Sequence, residues 1–192
     1  SSKNRNHVRI NNNQNKITRF HCRNSFPVNT SCTINNNIVI VVDVLRASST
    51  IITALANGAL SIVPVSTVRQ ARTLAGEIPD SILGGERKGL RIAGFRLGNS
   101  PLEYTRRAVE NKNIVFTTTN CTRVLERCKQ FISTTEVFIG AFLNATAIAM
   151  AAKKSSSQSN KEISIVQAGS HGMASSDDLF CAQLIKTIIE TK

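Results

Sequence analysis

The apolar positions of the chain fall into two kinds of run, and the two alternate. Ile/Val-rich runs at 38–43, 60–65, 113–118, 136–140 and 162–167 read as strands, the first so continuous that both its faces must be buried. Helix-like runs occupy 47–57, 66–77, 101–110, 121–131, 143–153 and 176–190. Strands alternating with helices predict βαβ units, hence a largely parallel or mixed sheet covered on both faces. The expected fold class is α/β, a three-layer α/β/α arrangement. The segment 155–160, SSSQSN, reads as a surface loop. Residues 1–35 carry few periodic apolar positions and read as a poorly ordered arm, which leaves 36–192 as the folded domain.

The junction at Ile38 to Thr50, IVIVVDVLRASST, carries the most chemistry. An apolar strand runs into Asp43, Arg46 and the hydroxyls of Ser48, Ser49 and Thr50, and a helix begins near Ala47. Open α/β folds place ligands at the carboxyl ends of their strands. A helix start with free N–H groups and a favourable dipole accepts an anion. One carboxylate, one guanidinium and a helix N-terminus suit a metal ion and a phosphate together.

Three further segments join it. The glycine-rich stretch 83–101, LGGERKGLRIAGFRLGNSP, holds five of the ten glycines together with Glu86, Arg87, Asn99 and Ser100. Long glycine-rich loops let a backbone approach a ligand, although solvated charges on a surface excursion read the same way. FTTTNCTR (116–123) ends a strand in hydroxyls and Asn120; its bland reading is an ordinary N-cap. QAGSHGMASSDD (167–178) places Ser170 and His171 between glycines, and Asp177 and Asp178 at a helix start. Acids there complement the dipole and are equally able to bind a divalent cation.

Composition narrows the function classes. A chain of 192 residues can bury one sizeable core, and no apolar run reaches membrane-span length. The net charge of +12 is uneven: residues 1–42 hold six Lys/Arg and no acid, and the remainder holds eighteen basic and twelve acidic residues. With one Tyr and no Trp, no basic stripe is interleaved with aromatics, so nucleic-acid binding is not expected. The five cysteines form no CxxC pair and, with three histidines, suggest no zinc site; isolated thiols point to a reducing compartment. A cytoplasmic location is expected, or an organellar one if the basic arm is a transit peptide. A chain that starts with Ser and ends inside a helical run reads as a fragment or processed form. The sequence does not fix the oligomeric state, and a homo-oligomer stays open.

Common phosphatase signatures are absent. There is no Walker loop. The haloacid-dehalogenase pattern needs Asp two residues after the first, where Leu45 stands. Cys121 is followed six residues later by Arg127, but the glycines of a cysteine-phosphatase loop are missing.

Five segments together resemble the 2-phosphosulfolactate phosphatase family, the ComB-like proteins. They are VVDVLRASSTIITALANGA (41–59), LGGERKGLRIAGFRLGNSPLEYT (83–105), FTTTNCTRVL (116–125), GAFLNATAIA (140–149) and QAGSHGMASSDDLFCAQ (167–183). The resemblance covers roughly residues 38–190, and the combination is more specific than any single segment. It implies a ComB-like α/β fold and a Mg²⁺-dependent phosphatase that releases 3-sulfolactate from 2-phospho-3-sulfolactate, a step of coenzyme M biosynthesis in methanogens. The partner it implies is a small anionic phosphoester. Three departures stand out: Cys121 where the family usually has glycine, Arg96 in place of an acid, and an expected carboxyl-terminal tail that is missing.

On this resemblance, Asp43 and Glu86 are expected to hold or orient Mg²⁺, with Asp177 a third candidate. Arg46 and Arg87 would grip oxyanions with forked donors. Ser48, Asn99, Thr118, Thr119, Asn120 and Asn144 would complete the cradle. Asp43 stays open as nucleophile or metal ligand. The alternative is a non-catalytic anion binder or inactive fragment of the same fold.

Overall fold

The computed structural model describes residues 10–11, 37–129, 136–169, 173 and 175–191. Its strands are β1 (Ile10–Asn11), β2 (Ile38–Val42), β3 (Ser61–Pro64), β4 (Ser81–Arg87), β5 (Leu90–Arg91), β6 (Asn113–Thr117), β7 (Glu136–Gly140) and β8 (Ile163–Gln167). Its α-helices are α1 (Ala47–Ala56), α2 (Val68–Glu77), α3 (Arg106–Val109), α4 (Cys121–Lys129), α5 (Ala145–Ser159) and α6 (Ser176–Thr191).

Seven of the described strands divide between two sheets. One has the order β1-β3-β6-β4-β5, with parallel pairing through β3, β6 and β4 and antiparallel strands at both edges. The other pairs β2 with β8 in parallel, Ile38 opposite Ile163 through Val42 opposite Gln167. Strand β7 lies alongside β2, its Glu136 N–H reaching the Asn37 carbonyl at 3.4 Å.

Burial explains this layering. Strand β2 is buried at all five positions. Val39 and Val41 face one apolar cluster, in which α1 and α4 (Ala47, Ile51, Leu125) fill the space between the two sheets beside Ile62, Ile114 and Phe116. Ile38, Ile40 and Val42 face a second cluster with Ile148 of α5 and Ile185 of α6. Helix α2 covers the outer face of the larger sheet through Ala71 and Leu74, against Val63 and Val115. Each strand face with an apolar row therefore has a helix to bury it. The helices and largely parallel strands are those of the α/β class, arranged as two sheets.

Several local expectations are corrected. The stretch 83–101 reads from the sequence as a long glycine-rich loop, yet β4 and β5 run through its first part. Side-chain periodicity vanishes at Gly84 and Gly85 because other elements occupy that space. A Cβ on Gly84 would strike the Tyr104 hydroxyl, and one on Gly85 (φ +139°) would strike the Thr117 carbonyl. The helix expected at 101–110 is a 3-10 turn (Pro101–Glu103) and the single turn α3, separated by buried Tyr104. The loop expected at 155–160 is the end of α5. The Ser157 and Ser159 hydroxyls donate to the carbonyls one turn back, at 3.1 and 2.7 Å, and Asn160 at φ +50° ends the helix.

Of the arm expected over 1–35, only Ile10–Asn11 is described; it pairs antiparallel with β3, Ile10 opposite Ile62. The rest of that arm, the transit-peptide reading, Ser170, His171, Gly172 and the last two residues of the helix expected at 121–131 lie outside the described residues. Among the described residues no helix is long and apolar enough to cross a membrane.

Candidate functional site

Asp43 follows the last residue of β2 and is 7% exposed. Its backbone N–H donates to Ser48 Oγ at 2.9 Å, and its Oδ1 accepts the Ala47 N–H at 3.2 Å. These bonds lock the turn that carries Arg46 and start α1. Burial, then the charge of Asp178, push the Asp43 carboxyl up to about 7; the N–H groups of Ala47 and Arg46 pull the other way, and Glu86 adds repulsion. Arg46 is half-buried, and its Nη2 donates to the Gly89 carbonyl at 3.1 Å.

Glu86 sits near the end of β4 and is 6% exposed. Its carboxylate gathers donors from two other segments. Oε1 accepts the Thr119 N–H at 2.7 Å, and Oε2 accepts the Gly89 N–H at 2.8 Å and the Thr119 hydroxyl at 3.2 Å. The β4–β5 turn and the loop after β6 are thereby tied to one side chain. Arg87 points three donors inward: Nη1 to the Glu86 carbonyl (2.7 Å), and Nη2 to the Ser66 carbonyl and Thr117 Oγ1 (both 2.8 Å). Burial lowers its pKa; neighbouring Glu86 opposes that and Arg123 reinforces it.

The oxyanion-cradle residues divide by how far their polar atoms are already engaged. Ser48 Oγ serves the Asp43 N–H. Thr118 Oγ1 accepts the Thr122 N–H at 3.4 Å as a cap of α4. Asn144 accepts from the Ala141 N–H and donates to the Ile139 carbonyl, both at 2.9 Å, closing the turn after β7. Asn99 differs: it is 8% exposed, and its Oδ1 is buried without a hydrogen-bond partner among the described residues. Asn120 is half-buried at the start of α4. Cys121 is fully buried, and Arg96 is exposed.

The acid that α6 brings beside Asp43 is Asp178, which was not singled out as a ligand from the sequence. The Asp177 carboxylate accepts the Ser175 hydroxyl at 2.7 Å instead. The signal was present: Asp178, Cys181, Ala182 and Ile185 form the i, i+3, i+4, i+7 stripe that α6 buries, and Asp177 lies off it.

The site thus joins the carboxyl ends of β2, β4, β6 and β8, from both sheets. Among the described residues no three His, Cys, Asp or Glu form a metal cage. The available donors are all oxygens. Two of the nearby carboxylates, Glu86 and Asp178, already accept backbone N–H groups on both oxygens. That set suits a hard cation held by one or two carboxylates and water rather than an all-protein cage.

A family model described as 2-phosphosulpholactate phosphatase matches residues 22–192. A protein of Clostridium perfringens (strain 13 / Type A) named "Probable 2-phosphosulfolactate phosphatase" is 43% identical over 156 residues, which is 79% of this chain and 60% of that protein. One of the same name from Clostridium botulinum (strain Alaska E43 / Type E3) is 40% identical over 162 residues, 83% of this chain and 65% of that protein. The chain therefore spans less than two thirds of the length of these curated relatives. With motifs and match agreeing over most of its residues, the chain belongs to the 2-phosphosulpholactate phosphatase family.

Proposed function

We propose that this chain carries the active site of a Mg²⁺-dependent phosphatase acting on 2-phospho-3-sulfolactate or a related small phosphorylated acid. The observation that supports it best is the meeting of Asp43, Glu86 and Arg46 at strand carboxyl ends, in a chain whose relatives bear that phosphatase's name. Hydrolysis of a phosphate ester needs charge neutralisation and alignment more than covalent help from the protein.

Mg²⁺, when bound, would neutralise phosphoryl oxygens and favour the ionised form of Asp43. Asp43 would be its first ligand, and Asn99 Oδ1, without a hydrogen-bond partner among the described residues, fits the same hard-oxygen chemistry. Asp43 serves either as that ligand or as the attacking group, and both roles need the carboxylate ionised. Glu86 holds the Thr119 loop and the Gly89 turn in register, so that N–H groups and Arg46 can converge on one anion. Arg46 has donors to spare where Arg87 does not, since among the described residues its side chain's one hydrogen bond is to the Gly89 carbonyl. Arg87, with three donors engaged, shapes the pocket wall and contributes charge.

The test is phosphate release by the purified chain from 2-phospho-3-sulfolactate and from a general phosphomonoester, with Mg²⁺ and with EDTA. Mg²⁺-dependent release, faster on the sulfolactate ester, supports the reading. Binding of the anion without release would replace it by the binding-only alternative.

A further inference from the structure

Strands β2 and β8 part just where the site begins. Their ladder closes with the Ala168 N–H on the Val42 carbonyl at 2.8 Å. In a parallel ladder the next donor, the Val44 N–H, would reach the Ala168 carbonyl. It turns instead to Asp178 Oδ1 at 2.7 Å, and the Gly169 N–H turns to Asp178 Oδ2 at 3.1 Å. The parting frees Val44, Leu45 and Arg46 to leave the sheet as a turn, and it strands the buried Val44 N–H, which must find an acceptor, as must the half-buried Gly169 N–H just beyond β8. Asp178, 2% exposed on the buried stripe of α6, supplies both.

From this geometry we infer that Asp178 is a positioning residue: it fixes the turn carrying Asp43 and Arg46 by accepting the Val44 N–H left where β2 and β8 separate together with the Gly169 N–H just beyond β8. Only a carboxylate of this length does both jobs. An amide has one acceptor oxygen and would aim its NH₂ group at the second N–H. Asp177 cannot substitute, since it faces Ser175 off the stripe. With both oxygens on backbone donors, Asp178 acts through Asp43 rather than on a cation. The inference rests on the proposed phosphatase reading for its effect on turnover, and on hydrogen bonding alone for the clamp.

The experiment has two arms on the full chain. Hydrogen exchange of the wild type should show the Val44 and Gly169 amides protected like the β2–β8 ladder, and Asp178→Asn should speed exchange at these two amides at least tenfold more than along Ile38–Val41. In the same variant kcat should fall about 10- to 100-fold, with KM and the Mg²⁺ midpoint of activation each within about threefold. Free exchange of either amide in the wild type overturns the inference, and needs no folded variant. A tenfold or larger rise in the Mg²⁺ midpoint overturns it in favour of a metal ligand. An unchanged kcat in the folded variant overturns it in favour of a purely structural clamp. If the wild type hydrolyses nothing, the proposed function fails while the exchange arm still decides whether the clamp exists.

Discussion

Replacing Asp43 by Asn should abolish turnover and yet stabilise the metal-free protein above neutral pH. The wild-type carboxyl has an ordinary value of 3.8 and is pushed up to about 7 in the fold, chiefly by burial and then by Asp178. The folded state thus binds this proton more tightly than the unfolded chain. Between those two values the unfolded state holds fewer protons, so the side chain's contribution to stability falls as pH rises through that window. Above it, the folded protein carries the full penalty of a buried carboxylate, on the order of 4 kcal/mol for a gap of about three pH units. Asn keeps an oxygen for the Ala47 N–H and never ionises. The stability difference between variant and wild type should therefore grow by about 2–3 kcal/mol from pH 5 to pH 8. The assay is urea unfolding in EDTA at both pH values. A midpoint offset of about 1 M should open at pH 8, for a slope near 2 kcal/mol per M. Saturating Mg²⁺ should close the offset, because it stabilises only the wild type. An Asn variant equally or less stable than the wild type at pH 8 would refute the reasoning.

Arg46→Ala should lower kcat/KM by roughly 10- to 100-fold through the loss of a charge-assisted contact, with stability nearly unchanged; steady-state kinetics and thermal unfolding check both halves. Gly85→Ala should destabilise by more than about 3 kcal/mol, since a Cβ there meets the Thr117 carbonyl at a backbone angle that disfavours side chains, and the soluble yield and unfolding midpoint should collapse together. Tyr104→Phe removes the 2.7 Å bond to the Gly98 carbonyl, which keeps the Gly85 N–H. It should cost about 1 kcal/mol and lower the calorimetric Tm by about 2–4 °C.

The parts of the fold that announce themselves do so through burial. Strand β2 was legible because two helical layers bury both its faces, which leaves five apolar residues in a row. Strand β4 was not, because Gly84 and Gly85 answer to Tyr104 and Thr117, residues distant in the chain. The same non-locality hides the tie from Glu86 to Thr119, 33 residues away. Asp43, Arg46 and Glu86 could be marked as site candidates because charged residues interrupt apolar or glycine-rich runs at these positions. The choice between Asp177 and Asp178 required the helical stripe to be followed through to Ile185. Ser157 and Ser159 of α5 read as loop residues although their hydroxyls bond within the helix and so do not end it. The 3-10 turn at Pro101–Glu103 was misread because buried Tyr104 interrupts a helix-like composition.

The central claim is that one anion and one hard cation bind together where β2, β4 and β6 end. A crystal structure of the chain grown with Mn²⁺ and tungstate, in place of Mg²⁺ and phosphate, tests it most directly. The anomalous peaks should lie with Mn²⁺ on the Asp43 carboxylate and tungstate within hydrogen-bond reach of Arg46. Both peaks elsewhere, with Arg46 still on the Gly89 carbonyl, would contradict it.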